Sequence, residues 1–273
     1  MHDPSGGTGT VHRMTTKTDY APGTPSWVDL STTDPAAAQE FYGALFGWNY
    51  DDQSDDPTNP YWIARVDGRE AAGMMAQPAE MRAAGAPPVW VTHVTVADVD
   101  ATSGQVDAAG GSVVQAPRDV MDVGRLSIIA DPTGAALCAW QAKTHVGATV
   151  VNEPGSFAWN ELLTPDVERA SAFYHQLFGW DAHPLEMGPM RYTEFRLGDQ
   201  PVAGAQAPPM PGIPPLWVVY FAVADTDATV ADAKRRGAQV LAEPMDIPPG
   251  RMAVLADPQG AMFNVIRLAN PPS

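Results

Sequence analysis

The chain has 273 residues, 45% of them hydrophobic, and this is enough apolar material for two well-packed cores. Its 16 Lys and Arg residues against 32 Asp and Glu residues give a net charge of −16, which repels phosphate backbones and argues against nucleic acid as a partner. The single cysteine, Cys138, excludes an internal disulfide and a cysteine-based zinc site.

Nothing in the sequence predicts a membrane segment. No apolar run approaches the roughly 18 residues that a spanning helix needs, and no basic flank leads into an apolar stretch near the N-terminus. We therefore expect a cytoplasmic protein without membrane contact, either a monomer or a homodimer. Its expected partner is a small-molecule ligand, and the acidic surface serves either solubility or the attraction of a cationic ligand.

The first elements follow from turn and capping residues. Residues 1–21 are polar and lack periodicity, which predicts a flexible tail. The alternation in Ser26–Ser31 predicts a strand, and Asp34 with Pro35 predicts the start of a helix. Gly47 predicts the end of that helix.

The rest of the first half is predicted to contain six more strands and one more helix. The helix begins near Asp98 or Asp100 and extends to Gly110 and Gly111. The strands are predicted from alternation and from the turn residues between them, at residues 61–66, 71–77, 90–97, 112–116, 125–130 and 136–141. A β-α-β-β-β pattern therefore occurs twice in this half.

The second half repeats the first. Phe41–Trp48 and Phe173–Trp180 share six of eight residues, at a spacing of 132 residues (from 41 to 173). Val96–Thr102 and Val223–Thr229 share six of seven. The repeat predicts two domains, at residues 22–145 and 155–270, with the second pair of helices at residues 166–177 and 227–236.

The predicted fold class is α+β, as a tandem duplication. Each half consists of two βαβββ modules that together form a cup-shaped mixed sheet with a cleft. One helix per module covers one face of the sheet, so the other face must be completed by the partner module. The concave side is then the expected place for function, and inward-pointing strand residues line it.

Four polar residues on predicted inward faces are the catalytic candidates. Asp29 and Glu161 occupy equivalent strand positions, and a buried carboxyl with a raised pKa can act as an acid or base. His93 should face the same cleft as Asp29 and can then shuttle a proton. Its counterpart Tyr220 can donate a hydrogen bond to a substrate oxygen. The alternative is a structural carboxylate and a packed histidine.

Aromatic and basic residues that repeat in both halves are the substrate-binding candidates. Trp27 and Trp159 offer flat walls for an aromatic ligand. Arg125 and Arg251 each follow a glycine at the start of a strand. They would either clamp a carboxylate or enolate of the substrate, or bridge to a repeated aspartate and hold the fold together.

Several of these repeated motifs together resemble a known family. The strand that leads into Asp-Pro, the helix with Phe-Tyr and Leu-Phe-Gly-Trp, the Val-Ala-Asp-x-Asp-Ala-Thr segment and the Asp-Pro-x-Gly-Ala turn resemble the vicinal oxygen chelate superfamily. That superfamily includes glyoxalases, bleomycin-resistance proteins and extradiol dioxygenases. More narrowly, the chain is similar to two-domain actinobacterial proteins described as glyoxalase-like or as hydroxylases. The resemblance covers about residues 22–270.

The resemblance implies a divalent metal held by His or Gln, His and Glu on three strands. Counting from the motifs places neutral or bulky residues there: Trp27, Val91 and Cys138 in the first half, and Trp159, Val218 and Asn264 in the second. A register two residues later gives Asp29, His93 and Trp140, and then Glu161, Tyr220 and Ile266. The first register offers no suitable donor set, and the second offers only two donors, Asp29 and His93, in the first half. Two donors are too few for a hard cation without a further ligand, so any case for a metal rests on this pair alone, and we predict no metal and no other cofactor. Cys138 and Asn264 become substrate-contacting candidates instead.

Three functions remain open. The first, which we favour, is a metal-independent enzyme that acts on a small oxygenated cyclic or aromatic metabolite, of the lyase, isomerase or hydroxylase kind. The second is a binding protein that sequesters a hydrophobic metabolite or antibiotic, as the bleomycin-resistance branch does. The third is a metal-dependent glyoxalase or dioxygenase, which only the analogy of the fold suggests.

Overall fold

The structure is a computed structural model that describes residues 16–54, 60–187, 190–210 and 212–270. Most of the predicted tail, residues 1–15, lies outside the described residues. Its last part lies against the segment that joins the two halves. The amide of Lys17 donates to the carbonyl of Thr149 over 3.0 Å, and the Tyr20 hydroxyl donates to the carbonyl of Ala148 over 2.6 Å.

The first half contains two βαβββ modules and one short additional helix. In chain order its elements are β1 (Pro25–Thr32), α1 (Pro35–Phe46), β2 (Asn49–Asp52), β3 (Tyr61–Val66), β4 (Arg69–Ala76), α2 (Ala79–Ala83), β5 (Val89–Thr95), α3 (Val99–Ser103), β6 (Ser112–Val120), β7 (Gly124–Ala130) and β8 (Ala136–Ala142). The predicted helix from Asp98 is therefore shorter than expected. Gly104 follows its last residue, and hydrogen-bonded turns continue to Gly110.

The second half repeats this order without the short helix α2. Its elements are β9 (Phe157–Leu163), α4 (Val167–Phe178), β10 (Asp181–Met187), β11 (Met190–Leu197), β12 (Gln200–Gln206), β13 (Leu216–Ala222), α5 (Thr226–Arg235), β14 (Gln239–Ile247), β15 (Gly250–Ala256) and β16 (Met262–Leu268). The long helices α1 and α4 have the same ends. Asp34 and Asp166 accept hydrogen bonds from the first turn, and Gly47 and Gly179 end the helices in the left-handed conformation.

Each half forms one open, mixed sheet of eight strands. The strand order is β2-β3-β4-β1-β5-β8-β7-β6 in the first half and β10-β11-β12-β9-β13-β16-β15-β14 in the second. The two modules of a half join edge to edge, through the antiparallel pairs β1–β5 and β9–β13. This confirms the predicted α+β tandem architecture with a cup-shaped mixed sheet in each half.

The helix-covered faces of the two sheets pack against each other. Each of the two large apolar clusters contains residues from both halves: Phe41 of α1 lies with Phe263 of β16, and Phe173 of α4 lies with Leu137 of β8. The helices thus fill a core shared by both domains, as their apolar spacing predicts. The opposite, concave face of each sheet is left on the outside of the pair.

Repeated polar groups cross this shared core in the same way twice. Tyr42 donates its hydroxyl hydrogen to Asp257 over 2.9 Å and accepts from the indole of Trp90. In the opposite direction, Tyr174 donates to Asp131 over 3.0 Å and accepts from Trp217. The repeated helix tyrosine of one domain is therefore bonded to the Asp-Pro turn of the other domain. These bonds explain why both motifs recur.

The last tryptophan of the repeated helix motif also crosses between the halves. The indole of Trp48 donates to the carbonyl of Gly155, and that of Trp180 donates to the carbonyl of Gly23, both over 2.6 Å. Gly23 and Gly155 have φ of 88° and 87°, a region that glycine enters without strain. A Cβ on either would lie 2.8 Å from a helix-end carbonyl of the other domain. The junction therefore requires glycine at both positions.

Candidate functional site

Alternate residues of β1 and β9 face the concave side of their sheets. On β1, Val28 and Leu30 enter the shared core, so the alternate residues Trp27 and Asp29 point to the concave side. The equivalent pair on β9 is Trp159 and Glu161. The prediction that both carboxylates face a cleft therefore agrees with the pleat of the two strands.

The central row of the first cleft runs across β1, β5 and β8. Trp27 is paired with His93, and His93 is paired with Cys138. The sequence-based registers are corrected here: His93 is level with Trp27 and Cys138, whereas Val91 is level with Asp29. The β1–β5 pair also contains a register shift, between Pro25 and Trp27.

Asp29 is the centre of a buried hydrogen-bond network in the first cleft. One carboxylate oxygen, Oδ1, accepts from the Trp27 indole over 2.7 Å and from the Tyr61 hydroxyl over 2.8 Å. The other, Oδ2, lies 3.0 Å from Nε2 of His93. Gly73, opposite Asp29 on β4, makes room for this arrangement, because a Cβ there would overlap the carboxylate and the Tyr61 hydroxyl. Asp29 is therefore held in one orientation.

The network favours the charged forms of both Asp29 and His93. Burial by itself would raise the pKa of Asp29, but His93, Tyr61 and Trp27 hold it below its usual range. Burial would lower the pKa of His93, but the sulfur of Cys138 and the carboxylate of Asp29 raise it above its usual range. The first cleft thus presents an imidazolium that can donate a proton or stabilise negative charge on an oxygen.

The second cleft has the same layout with different chemistry. Its central row is Trp159, Tyr220 and Asn264. The Glu161 carboxyl accepts from the Tyr220 hydroxyl over 3.1 Å and from the Gln206 amide over 2.8 Å. Burial raises the pKa of Glu161, and the hydrogen bonds from Gln206, Tyr220 and a further tyrosine only partly oppose this shift. The pKa of Glu161 is therefore shifted in the opposite direction to that of Asp29 in the first cleft.

The two arginine candidates do not line the clefts, which corrects their proposed role as substrate-binding residues. Arg125 forms two hydrogen bonds with Asp100 in α3, over 2.8 and 2.9 Å. Arg251 does the same with Asp227 in α5, over 2.6 and 2.8 Å. Both pairs lie on the helix-covered side of their sheets. The structure thus contains the alternative that the sequence left open, a bridge from each arginine to a repeated aspartate.

Several residues of the clefts were missed from the sequence. Tyr61 and Tyr192 occupy equivalent places on β3 and β11, and each hydroxyl accepts a hydrogen bond from the tryptophan of its cleft. Gly73 and Gly204 are also equivalent, since a Cβ on either would overlap the neighbouring tyrosine hydroxyl. Both pairs repeat at a spacing of 131 residues (61 to 192 and 73 to 204), so a strand-by-strand comparison of the halves contained the signal.

The segment between the domains covers part of the first cleft. The His145 ring packs edge-on against Trp27, with 4.6 Å between ring centres. Its Nδ1 lies 3.2 Å from Oε2 of Glu70, and this contact holds the pKa of Glu70 below its usual range. Trp27 is consequently only 2% exposed, whereas its equivalent Trp159 is half-buried. The second cleft is thus the more open of the two at its tryptophan.

The residues of the two rows do not fit a three-donor site for a divalent metal. Within the described residues, no group of three or more His, Cys, Asp and Glu side chains is placed to hold an ion. In the first cleft, the Trp27 indole occupies one of the three positions. The His93 imidazole occupies the next position and is already paired with Asp29. In the second row the three positions carry an indole, a phenol and an amide.

A family model for the Glyoxalase/Bleomycin resistance protein/Dioxygenase superfamily matches the chain twice, at residues 24–139 and 153–265. The chain belongs to this superfamily. As a member, it carries one matched unit in each of the two eight-stranded sheets. The family resemblance predicted from the repeated motifs is therefore confirmed.

Curated relatives from this superfamily match almost the whole chain. The "Putative glyoxylase CFP32" of Mycobacterium tuberculosis is 47% identical over 259 residues, which cover 94% of this chain and 99% of the relative. The "Anthracycline biosynthesis protein DnrV" of Streptomyces peucetius is 38% identical over 264 residues, which cover 92% of this chain and 95% of the relative. Members with this two-domain layout thus occur under both descriptions.

Solved structures of superfamily members share the fold. The Mn(II)-bound glyoxalase of Novosphingobium aromaticivorans superposes with a TM-score of 0.60 at 14% identity, covering 92% of this chain and 86% of that one. A catechol 2,3-dioxygenase gives 0.62 at 16% identity, covering 93% and 90%. At such identities the likeness concerns the fold alone. None of the helices in the described part of the chain is long and apolar enough to span a membrane.

Proposed function

We propose that the first cleft is the catalytic site of a metal-independent enzyme that moves a proton on a small oxygenated cyclic or aromatic metabolite. The observation that carries this proposal is the buried contact of 3.0 Å between Asp29 and His93 on the concave face. Each of the two side chains is 7% exposed. A pair that is so well shielded from water keeps a strong electrostatic effect on a bound ligand.

The roles of the two residues follow from their hydrogen bonds. Both oxygens of Asp29 already have partners, Trp27 and Tyr61 on one and His93 on the other, so Asp29 is a positioning residue. His93, whose ring contacts Asp29 and the Cys138 sulfur, is the group proposed to exchange a proton with the ligand, and one of these contacts would open for the exchange. A carbonyl oxygen of the ligand would accept the His93 proton while a neighbouring C–H loses its proton to water, which gives the neutral enol. Return of both protons regenerates the carbonyl compound and the imidazolium.

The test is deuterium exchange on a cyclic ketone in the presence of a metal chelator. With 2-tetralone in D2O, the wild-type protein should accelerate exchange at the carbon between ring and carbonyl by roughly 100-fold or more over buffer. The His93→Gln variant should lose most of this acceleration, and Glu161→Gln should keep it. Exchange that appears only after a divalent ion is added would overturn metal independence, and exchange that survives in His93→Gln would overturn the role of His93.

A binding protein without catalysis is the second candidate. It is supported by an apolar cluster on the concave face of the second sheet, in which Tyr220, Met252 and Ile266 are buried and Trp159 packs against them. A relative whose printed name refers to anthracycline biosynthesis is consistent with a polycyclic ligand in such a cleft. Saturable binding of aromatic compounds together with no proton exchange on any of them would favour this function over the enzymatic one.

A further inference from the structure

One buried polar atom of the second cleft has no hydrogen-bond partner among the described residues. Asn264 is 3% exposed, and its Oδ1 atom is buried without a hydrogen bond in the structure. Leaving a buried carbonyl oxygen unpaired costs roughly 1–3 kcal/mol. In the first cleft, the equivalent position carries Cys138, whose thiol is only a weak hydrogen-bond donor and acceptor. The unpaired oxygen is therefore a specific feature of the second cleft.

The surrounding hydrogen bonds fix which way the Asn264 amide points. Tyr220 donates its hydroxyl hydrogen to Oε2 of Glu161, so the Tyr220 oxygen is left as an acceptor. Its contact with Asn264 must then come from the Nδ2 group of that amide. Oδ1 then has no donor among these side chains, because the Gln206 amide donates to Glu161. The free oxygen is thus offered to whatever occupies the cleft.

The walls beside this oxygen are apolar and aromatic. Tyr220, Met252 and Ile266 form a separate apolar cluster, outside the core that the two domains share. Trp159 packs against this cluster and is only half-buried, so one of its faces is accessible. A flat ring fits such a wall, because aromatic pairs gain energy from stacked or edge-on contacts in addition to buried area. The cleft therefore combines a ring-binding wall with a single acceptor.

We infer that the second cleft is a separate binding site for an uncharged cyclic compound with a hydroxyl group, which donates its hydrogen to Oδ1 of Asn264. No cationic side chain contacts Glu161 in the described part of the chain, so no positive charge beside that carboxyl would balance the charge of an anionic ligand. The first cleft differs, because His93 provides a cation there. The two domains would then bind different forms of oxygenated ligand.

Four para-substituted toluenes of similar size test this inference. p-Cresol donates a hydrogen bond, 4-methylanisole only accepts one, p-toluate is an anion and 4-methylbenzylamine is a cation. Each is titrated into the 15N-labelled full-length protein, and the indole signals of Trp159 and Trp27 report binding to the second and the first cleft separately. The wild-type protein should bind p-cresol at the Trp159 signal about tenfold more tightly than 4-methylanisole, which corresponds to one hydrogen bond to a buried acceptor.

Substitutions test whether Oδ1 of Asn264 causes the preference for p-cresol over 4-methylanisole. In Asn264→Leu the p-cresol to 4-methylanisole ratio should fall to about one, and in Asn264→Asp, which keeps an acceptor, a preference for p-cresol should remain. Cys138→Ala, at the equivalent position of the first cleft, should leave the ratio at the Trp159 signal unchanged. These titrations do not depend on proton exchange at His93, so the catalytic proposal and this inference can fail independently.

Four outcomes would overturn the inference. They are no saturable change of the Trp159 signal with p-cresol, equal affinity for p-cresol and 4-methylanisole in the wild type, an unchanged preference in Asn264→Leu, and tighter binding of p-toluate or 4-methylbenzylamine than of p-cresol. The last outcome would show that the cleft selects a charged ligand. Because the wild-type comparison needs no substitution, a variant that fails to fold does not remove the test.

Discussion

The two clefts lie on two sheets of the same topology, with the same tryptophan, tyrosine, glycine and carboxyl positions, yet the pKa values of their carboxyls shift in opposite directions. Asp29 faces an imidazole, and its pKa is held below the usual range. Glu161 faces a phenol and an amide, and burial raises its pKa. The change from His93 in one row to Tyr220 in the other makes the difference. The direction in which the pKa of a buried carboxyl shifts thus depends on the groups that its neighbouring strands bring to it.

The largest expected effect concerns stability. Asp29→Ala leaves the buried donors of Trp27, Tyr61 and His93 without their acceptor, and we expect it to lower the free energy of unfolding by about 3 kcal/mol. Glu161→Ala removes a carboxyl that is itself unfavourably buried, so its cost should be about 1 kcal/mol. Urea denaturation at neutral pH measures both. Equal losses would show that the pairing of Asp29 with His93 adds nothing to the fold.

The second prediction concerns the reaction. His93→Gln should reduce deuterium exchange on 2-tetralone by roughly 100-fold, because an amide cannot replace the proton of an imidazolium. Tyr220→Phe, at the equivalent position of the second cleft, should leave the exchange rate unchanged. The exchange rate is followed by proton NMR at constant pD. A comparable loss in both variants would mean that the two clefts share one reaction and are not chemically distinct.

The sequence was sufficient for the fold and for some of the cleft residues. The repeated motifs predicted two domains, and strand alternation placed Asp29, His93 and Glu161 on inward faces, as the structure has them. These inferences succeed because they depend on local periodicity, which the pleat of a strand enforces. The same reasoning located Tyr42 in the core, where it is fully buried.

Long-range features could not be derived in this way. The pairing of His93 with Trp27 is set by the β1–β5 register, which no motif in the sequence marks. The bond from Tyr42 to Asp257 joins residues 215 positions apart, in different copies of the repeat. Arg125 was assigned to a cleft without knowledge of its face, and its partner Asp100 lies on the other side of the sheet. Register and domain packing are properties of the assembled core.

The third prediction uses pH to separate the two carboxyls. The folded pKa of Asp29 is lowered, so its contribution to stability is present above the pKa of the unfolded carboxyl and is lost as the pH falls through the folded value. The folded pKa of His93 is raised, so its contribution is present below the pKa of the unfolded imidazole and is lost as the pH rises through the folded value.

Glu161 has the opposite dependence. Its folded pKa is raised above 4.5, so stability falls as the pH rises from that value through the folded pKa. Glu161→Gln should therefore gain stability relative to the wild type as the pH rises over this window, whereas Asp29→Asn should lose most relative to the wild type near neutral pH. Denaturation from about pH 3 to about pH 9 measures both differences. Parallel curves for the two variants would contradict the assignment of opposite pKa shifts.

The smallest expected effect is the difference in unfolding free energy between Tyr42→Phe and Tyr174→Phe, which should be close to zero. Each change removes one hydroxyl that bridges a tryptophan of its own domain and an aspartate of the other. Each should therefore cost about 1 kcal/mol of unfolding free energy, and the two costs should agree within about 0.5 kcal/mol. Thermal and urea denaturation provide the comparison. Clearly unequal costs would show that the junction, like the clefts, has diverged between the halves, whereas equal costs would confine the divergence to the concave faces.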